Sequence, residues 1–546
     1  MEDMDQLPVK RRRVDEGQVG QDGTEDSTLQ HRLSIAVVGN QAQKCPYLDT
    51  IDRQALDFDM DKVCSVTLTT MNVYCCLVCG KFFQGRGTQT PAYTHSVQAG
   101  HFVWIHLQSA KTYCLPDGYE IHDSALNDVK HCLQPTFSAR EIALLDQNKT
   151  LSRDIHGVAY LPGFIGLNNV MQADYVNVIL HALSHIQPLR DFFLQPVNYA
   201  DTRSSLVRKF GELLRKMWSP GNFKSVLSPQ ELINDISVGG KDKVVLRGGH
   251  QTECIELWNW LVGELAQGLA GEAPPAAADS IFSQSFSGLV ELSETRTAAD
   301  GTETSSSKSV GFKYLSLPIP PPPLFRDAEG GLIIPQVPIF DLLRKFDGET
   351  CTEEIVKGVT IRKKYRLRKL PRYLVFNLDR KGKNNFSTSA ADADKNRTIV
   401  TFPAKNLEMR DYFNPGGGAC EGPTKYNLVA NVCYRHADAA NQKSITIGAQ
   451  SGAATVTKKA KSDKGAAEKN AALGSFLVHV HNKATDQWFE MQDLNVTEIL
   501  AHQIGKRFRS LHSVLSLNPL TLPIQIRLSS TSIPHSTLSP TTRSPL

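Results

Sequence analysis

No stretch of the 546-residue chain approaches the roughly 18 consecutive apolar residues that a membrane-spanning helix needs. The opening segment, MEDMDQLPVKRRRVDEGQ, carries charges where a secretory signal has an apolar core, so export is not expected. An excess of charge is also missing. The 60 Lys and Arg against 56 Asp and Glu leave a net charge of +4, too small by itself to imply nucleic-acid binding. There is no internal repeat. A balanced cysteine set is lacking too: 11 is an odd count. Five of these (Cys45, Cys64, Cys75, Cys76 and Cys79) crowd together while the rest are scattered. That pattern suits a metal site in a reducing compartment better than a disulfide framework. With 41% apolar and 21% charged residues, the chain has a globular composition and is too long for one ordinary core. The expectation is an intracellular, soluble, multidomain protein with no membrane partner.

Residues 1–38 are polar and poor in aromatics, so a disordered tail is expected. Its basic run, Lys10 to Arg13, reads as a nuclear import signal or as a solvated charged tail. Residues 40–140 form a compact Cys- and His-rich segment. From 155 to 515 helical patterns (DYVNVILHALSHI, SSLVRKFGELLRKMW, TECIELWNWLVGELAQGL) precede strand patterns (RYLVFNL, TIVTFP, YNLVANVCY, SFLVHVH, QWFEMQDL), which predicts an α+β unit. Low-complexity insertions are expected near 270–308 and 437–472. The Ser/Thr/Pro-rich 516–546 reads as a disordered tail, although LPIQIRL has a strand pattern.

Cys76 and Cys79 stand two residues apart, and His95 and His101 follow. Two thiolates from a tight knuckle and two imidazoles from the next element close a tetrahedron, giving one structural zinc with no open position for catalytic water. Cys45, Cys64, Cys75 and Cys114 read as core, with a second site left open.

CPYLDT, CCLVCGKFFQGRG, THSVQAGH and YCLPDGYEI resemble the ubiquitin-binding-type zinc finger that precedes many ubiquitin-specific proteases. The resemblance implies a pocket for the ubiquitin tail, with Tyr74 and Arg86 at its nearest counterpart positions. Gln84-Gly85-Arg86 stands where the family often has Cys-Gly-Arg, so one zinc site of the larger versions is missing. Arg86 also reads as a surface arginine in a glycine turn.

GLNNVMQADYVNVILHAL is similar to the nucleophile box of the same proteases. Gly166, Leu167, Asn169, Tyr175 and Asn177 fall in register. The resemblance implies a papain-like fingers, palm and thumb fold. It puts Asp174 at the catalytic cysteine position, with Met171 and Gln172 in place of glycine and asparagine. The base box Gly-His-Tyr reads Gly474-Ser475-Phe476, and the base-orienting position after WFEM is Gln492, followed by Asp493. Asp174 at a helix mouth then reads as structural: a carboxylate suits that place but attacks an isopeptide carbonyl poorly. His479 and His481 read as strand histidines, and Cys254 and Cys433 as buried thiols without a histidine box. The fingers subdomain lacks its usual Cys-x-x-Cys pairs. RYLVFNL and TIVTFP look like paired palm strands.

Ala173-Asp174-Tyr175, IIPQVP and WFEMQDL narrow the likeness to the snRNP-assembly-defective splicing factors, which are inactive ubiquitin-specific-protease-like proteins of the spliceosomal tri-snRNP. The resemblance implies a nuclear, non-catalytic role in pre-mRNA splicing, with tri-snRNP subunits as partners. Two alternatives remain: a ubiquitin reader, and a deubiquitinase with a relocated nucleophile. IRKKYRLRK allows RNA contact, but reads first as one solvated strand face.

Overall fold

The computed structural model describes residues 45–239, 253–271, 280–297, 302–320, 335–356, 359–380, 398–413, 423–435, 474–504 and 514–519. The basic run at 10–13, the second insertion at 437–472 and LPIQIRL lie outside them. The N-terminal unit is a four-stranded antiparallel sheet of β1 (Val73–Cys76), β2 (Phe82–Gln84), β3 (Val103–His106) and β4 (Thr112–Cys114), ordered β2-β1-β3-β4. Helix α1 (Pro91–Ala99) starts on a proline and connects β2 to β3. Leu56, Val73, Cys75, Val103, Ile105 and Leu133 form a small core on one side of the sheet. Tyr74, Cys76, Phe83 and Trp104 form another on the opposite side.

The larger unit is built around α2 (Asp174–Ser184), in which every residue is buried. Its polar residues Asp174, Asn177, His181 and Ser184 fall on one face and are buried with the apolar ones, so the helix is covered on all sides. The sheet covers one side of α2, and the helices α3 (Ser205–Trp218) and α4 (Cys254–Ala270) extend the same core on the other. A four-stranded sheet follows from β5 (Gly288–Thr297), β6 (Glu303–Phe312), β8 (Asp347–Val356) and β9 (Val359–Lys369), ordered β6-β5-β9-β8. The central sheet holds β7 (Leu315–Pro318), β10 (Leu374–Asp379), β11 (Lys425–Arg435), β12 (Ser475–Asn482), β13 (Gln487–Gln492), β14 (Asn495–Ile499) and β15 (Val514–Pro519). Their order is β7-β10-β15-β11-β12-β13-β14, with a short Leu407–Glu408 strand also pairing β11. Among the described residues, no helix is long and apolar enough to cross a membrane.

Three sequence expectations need correction. Residues within the supposed 270–308 insertion form a helix, Ile281–Phe286, and the β5–β6 hairpin. The Ser/Thr-rich composition hid these strands because β6 is almost wholly exposed and needs no apolar alternation. The tail expected from 516 begins four residues too early: β15 runs to Pro519 and pairs antiparallel with both β10 and β11. Ile399–Thr401 does not pair with β10 but runs parallel to Gln336–Pro338.

The two units meet across an ionic seam. Lys209, Glu212 and Lys216 share one stripe of α3 and face Asp59 and Lys62 of the N-terminal unit, together with Glu231 and Asp235 of the body. Lys216 Nζ donates to Phe58 O at 2.8 Å and lies 3.2 Å from Asp59 Oδ1 and 3.4 Å from Glu212 Oε1. Lys62 meets Glu212 at 2.6 Å, and Lys224 meets Asp57 at 2.6 Å.

Candidate functional site

Cys76 ends β1, Cys79 lies in the turn to β2, His95 is on α1 and His101 follows it. The turn is tight because Gly80 has φ 72°, and a Cβ there would meet Ala55 O at 2.0 Å. The four ligand atoms lie within 4.8 Å of one another. Cys76 Sγ to His101 Nδ1 and Cys79 Sγ to His95 Nε2 are each 3.5 Å, and the two ring nitrogens are 3.1 Å apart. Zinc bonds of about 2.3 Å to sulfur and about 2.05 Å to nitrogen, at tetrahedral angles, imply sulfur–nitrogen separations of about 3.5 Å. The arrangement fits such an ion. Burial pushes the Cys76 thiol up to about 12, and a bound cation is what offsets that cost and holds the thiolate. Burial, with His101 adding to it, lowers His95 and keeps its imidazole neutral, as a ligand must be. Cys45, Cys64, Cys75 and Cys114 are buried, and no second cluster of this kind occurs among the described residues.

Tyr74 is buried between His106 and Tyr113, with ring centroids 4.8 and 6.0 Å away. Arg86 lies over the Tyr113 ring at 4.3 Å and donates to Gly118 O at 3.3 Å. The structure thus joins the two suspected pocket residues through Tyr113, which the sequence reading had not singled out.

The three positions suggested by the nucleophile and base boxes also converge. Asp174 opens α2 with its carboxylate buried: Oδ1 accepts from Tyr175 N at 2.9 Å, and Oδ2 accepts from Phe476 N at 2.9 Å. Ser475 Oγ accepts from Gln492 Nε2 at 2.7 Å, and Gln492 Oε1 accepts from Arg435 at 3.1 Å. The carboxylate therefore clasps the mouth of α2 to the first residues of β12. Replacing Asp174 by Ala should leave the Phe476 N–H buried without this acceptor and cost about 1–3 kcal/mol in denaturant unfolding. Asp174→Asn keeps an acceptor and should cost less. Equal losses for the two would show that the clasp is not the reason.

The residues that kept the box register hold the loop behind this site. Asn177 Nδ2 and Asn169 Nδ2 donate to the two Asp493 oxygens, each at 3.0 Å, and Leu167 N donates to Asp493 O at 2.9 Å. Gly166 is needed because a Cβ would lie 2.7 Å from Leu494 O. Met171 and Gln172 have φ 55° and 60°, the left-handed region that glycine and asparagine tolerate best.

One sequence reading is corrected here. Cys433 does have a histidine neighbour: its Sγ is 3.9 Å from His479 Nδ1, and His479 Nε2 is 3.3 Å from Glu490 Oε2. The alternation of β11 and β12 puts this group on the sheet face away from α2, since Val432, Tyr434, Phe476 and Val478 pack with the helix. Cys433 is buried, and burial pushes its thiol up to about 12, so it is not a thiolate at neutral pH. Cys254 is buried at the start of α4 with Sγ 4.0 Å from Tyr175 O. Three of the six cations of the basic β9 strand are matched: Arg362 pairs with Glu353, Lys363 with Glu354 and Arg368 with Glu291.

A zinc-finger unit followed by a thumb, palm and fingers body defines the ubiquitin-specific-protease class of fold. The family described as "Ubiquitin carboxyl-terminal hydrolase" matches residues 165–516, and "Zn-finger in ubiquitin-hydrolases and other protein" matches 64–126. The chain belongs to the ubiquitin carboxyl-terminal hydrolase family. It is 37% identical to human "Ubiquitin carboxyl-terminal hydrolase 39" over 85% of this chain and 78% of that protein. It is 35% identical to the Schizosaccharomyces pombe "Probable mRNA-splicing protein ubp10" over 84% of this chain and 86% of that protein. A crystal structure of "an essential yeast splicing factor" superposes with a TM-score of 0.63 and 25% identity, covering 87% of this chain and all of that one.

Proposed function

We propose that this chain is a non-catalytic pre-mRNA splicing factor of the nucleus. In this reading it supports assembly or stability of the spliceosomal tri-snRNP and uses an inert ubiquitin-specific-protease fold as a rigid docking body. The carrying observation is Asp174, whose carboxylate accepts from the Tyr175 and Phe476 amides. We assign Asp174, Ser475 and Gln492 to the nucleophile, base and base-orienting positions. A hydroxyl at the base position accepts no proton at neutral pH, and triad members act as a unit, so turnover is lost. The splicing names of the fission-yeast relative and of the yeast structure support the role. Cys76, Cys79, His95 and His101 would hold one structural zinc, which supplies rigidity and no reaction chemistry. Tri-snRNP proteins are the partners in this reading, and RNA contact is secondary because half of the β9 cations are paired with carboxylates.

The test combines a ubiquitin C-terminal fluorogenic substrate with depletion in cells. The purified protein should show no turnover with or without thiol alkylation, a deficit of at least roughly 10^4-fold against an active protease. Depletion should reduce recovery of the tri-snRNP and leave introns unspliced. Alkylation-sensitive turnover would overturn the proposal. Ubiquitin binding that Arg86→Ala abolishes, together with unchanged splicing on depletion, would replace it with a ubiquitin reader.

A further inference from the structure

The helices trailing the finger and the start of the body enclose an apolar groove of about 210 Å3, walled by Phe137, Leu144, Leu145, Pro162, Trp218 and Pro220. Leu144 is 49% exposed at its lip. Among the described residues, Glu141 is the one charged side chain on this wall, since burial lowers the imidazole of His131 and leaves it neutral. Glu141 is exposed at the rim, and bonds from the Ser138 amide and hydroxyl keep it ionised. The groove is an apolar trough with a single negative charge beside it.

A smaller notch adjoins the groove through Leu145, Pro162 and Trp218 and leads toward the central sheet, where Val429, Asn482 and Lys483 line it. Its charges are matched. Asp146 lies 2.6 Å from Arg190 and 3.4 Å from Lys483, and Arg190 lies 2.7 Å from Asp191. The notch is therefore a polar lip, suited to a crossing backbone rather than to an apolar side chain. β15 ends beside it. Val429 stands at the break in register between β11 and β15, after the pair of Leu428 with Leu517, and Pro519 pairs with Tyr426. The strand from Tyr426 to Val429 covers about 10 Å. Val480 lies opposite Ala430, so β12 also ends, at Asn482, toward this end of the sheet.

The sequence beyond Pro519 fits the groove. Residues 520–528 read LTLPIQIRL, in which Leu522, Ile524, Ile526 and Leu528 alternate on one side of an extended chain. Arg527, on the other side, is its one charge. Nine extended residues reach about 30 Å, enough to cross the notch and enter the groove beyond it. From 529 onward the chain turns to serine, threonine and proline. We propose that residues 520–528 bind this groove in cis, their aliphatic side chains against Phe137, Leu144 and Trp218 and Arg527 beside Glu141. The segment then straps one end of the central sheet to the helices that trail the finger.

Irradiation of the full chain carrying Leu144→p-benzoylphenylalanine tests this. Cross-links should fall within residues 520–528 of the same chain, which a mixture of isotope-labelled and unlabelled protein distinguishes from a second copy. Cross-links to residues 1–44, to a second copy or to no part of this chain overturn the proposal. Replacing both Ile524→Asp and Ile526→Asp should free the groove, so that amides of residues 139–144 exchange at least about five-fold faster. The free peptide LTLPIQIRL should bind that variant at least about ten-fold tighter than the wild type, whose own segment competes at an effective concentration near millimolar. Unchanged exchange, or equal affinity of the peptide for the two proteins, overturns the proposal as well.

Discussion

Replacing both Cys76 and Cys79 by serine should remove one zinc per chain and unfold the finger. In small zinc domains the metal contributes on the order of 10 kcal/mol, because a preformed site does not exist in the unfolded chain. Here the two small cores around β1 and β3 offset part of the loss, so about 5 kcal/mol is a reasonable expectation. Three structural facts make the effect large. The ligands come from a strand, a turn and a helix that nothing else ties together as closely. Cys76 is buried and its thiol is raised by that burial, so without a cation it stays protonated against His101. The ring of His95 also stacks on Phe83, so its displacement opens the smaller core. Metal content by atomic absorption and amide exchange over residues 64–126 provide the readouts. A variant that keeps its zinc, or loses it with exchange unchanged, would refute the assignment.

Lys216→Met should be the most destabilising single change at the ionic seam, at about 3–5 kcal/mol. The methionine keeps the aliphatic stem but leaves Asp59 and Glu212 facing each other without the ammonium between them. Burial opposes the Lys216 charge, yet Asp59 and Glu212 raise its affinity for the proton, so it is charged throughout the neutral range. Burial likewise opposes the Glu212 carboxylate, but Lys216 and Lys62 hold it down to about 2, against an ordinary 4.5. A carboxyl depressed in this way contributes its full stability above about pH 4.5 and loses it as the pH falls toward 2. The wild-type seam should therefore weaken only in that acid window, and the Lys216→Met protein should begin to unfold at a higher pH. The double variant with Asp59→Asn should lose less than the sum of the two single changes. Simple additivity in urea unfolding, or an unchanged acid transition, would count against the seam as the link between the units.

Much of this was legible in the chain. The spacing of Cys76, Cys79, His95 and His101 sufficed because zinc geometry permits few spacings, and the structure brings those atoms together. The sequence of DYVNVILHALS reads as an amphipathic helix, but its polar face of Asp174, Asn177, His181 and Ser184 is buried as well, which periodicity alone does not reveal. Asp174 was read from the glycine and asparagine register, Ser475 from the GSF box and Gln492 from its place after WFEM, and the structure gathers the three around the start of β12. What escaped notice was long-range or compositional. Nothing local in Asp59 or Lys62 indicates that α3 is their counterpart, because surface-type charges look alike whether solvated or buried against a partner. The β5–β6 hairpin was masked by serine and threonine on a strand exposed on both faces. The pairing of Cys433 with His479 depends on the β11–β12 register, which periodicity within one strand does not specify.

The placement of β15 bears on how the molecule is made. The last described strand in sequence lies in the interior of the central sheet, with β10 on one side and β11 on the other. Until the ribosome has released Val514–Pro519, those two neighbours have no common partner and present open backbone edges. A nascent chain of this protein therefore cannot close its body until residues 514–519 have been made. Premature termination upstream of residue 514 removes not a dispensable tail but the strand that joins the two parts of the sheet. Such products should be recognised by chaperones and degraded, even though every residue of the finger and of the Asp174 clasp has already been made.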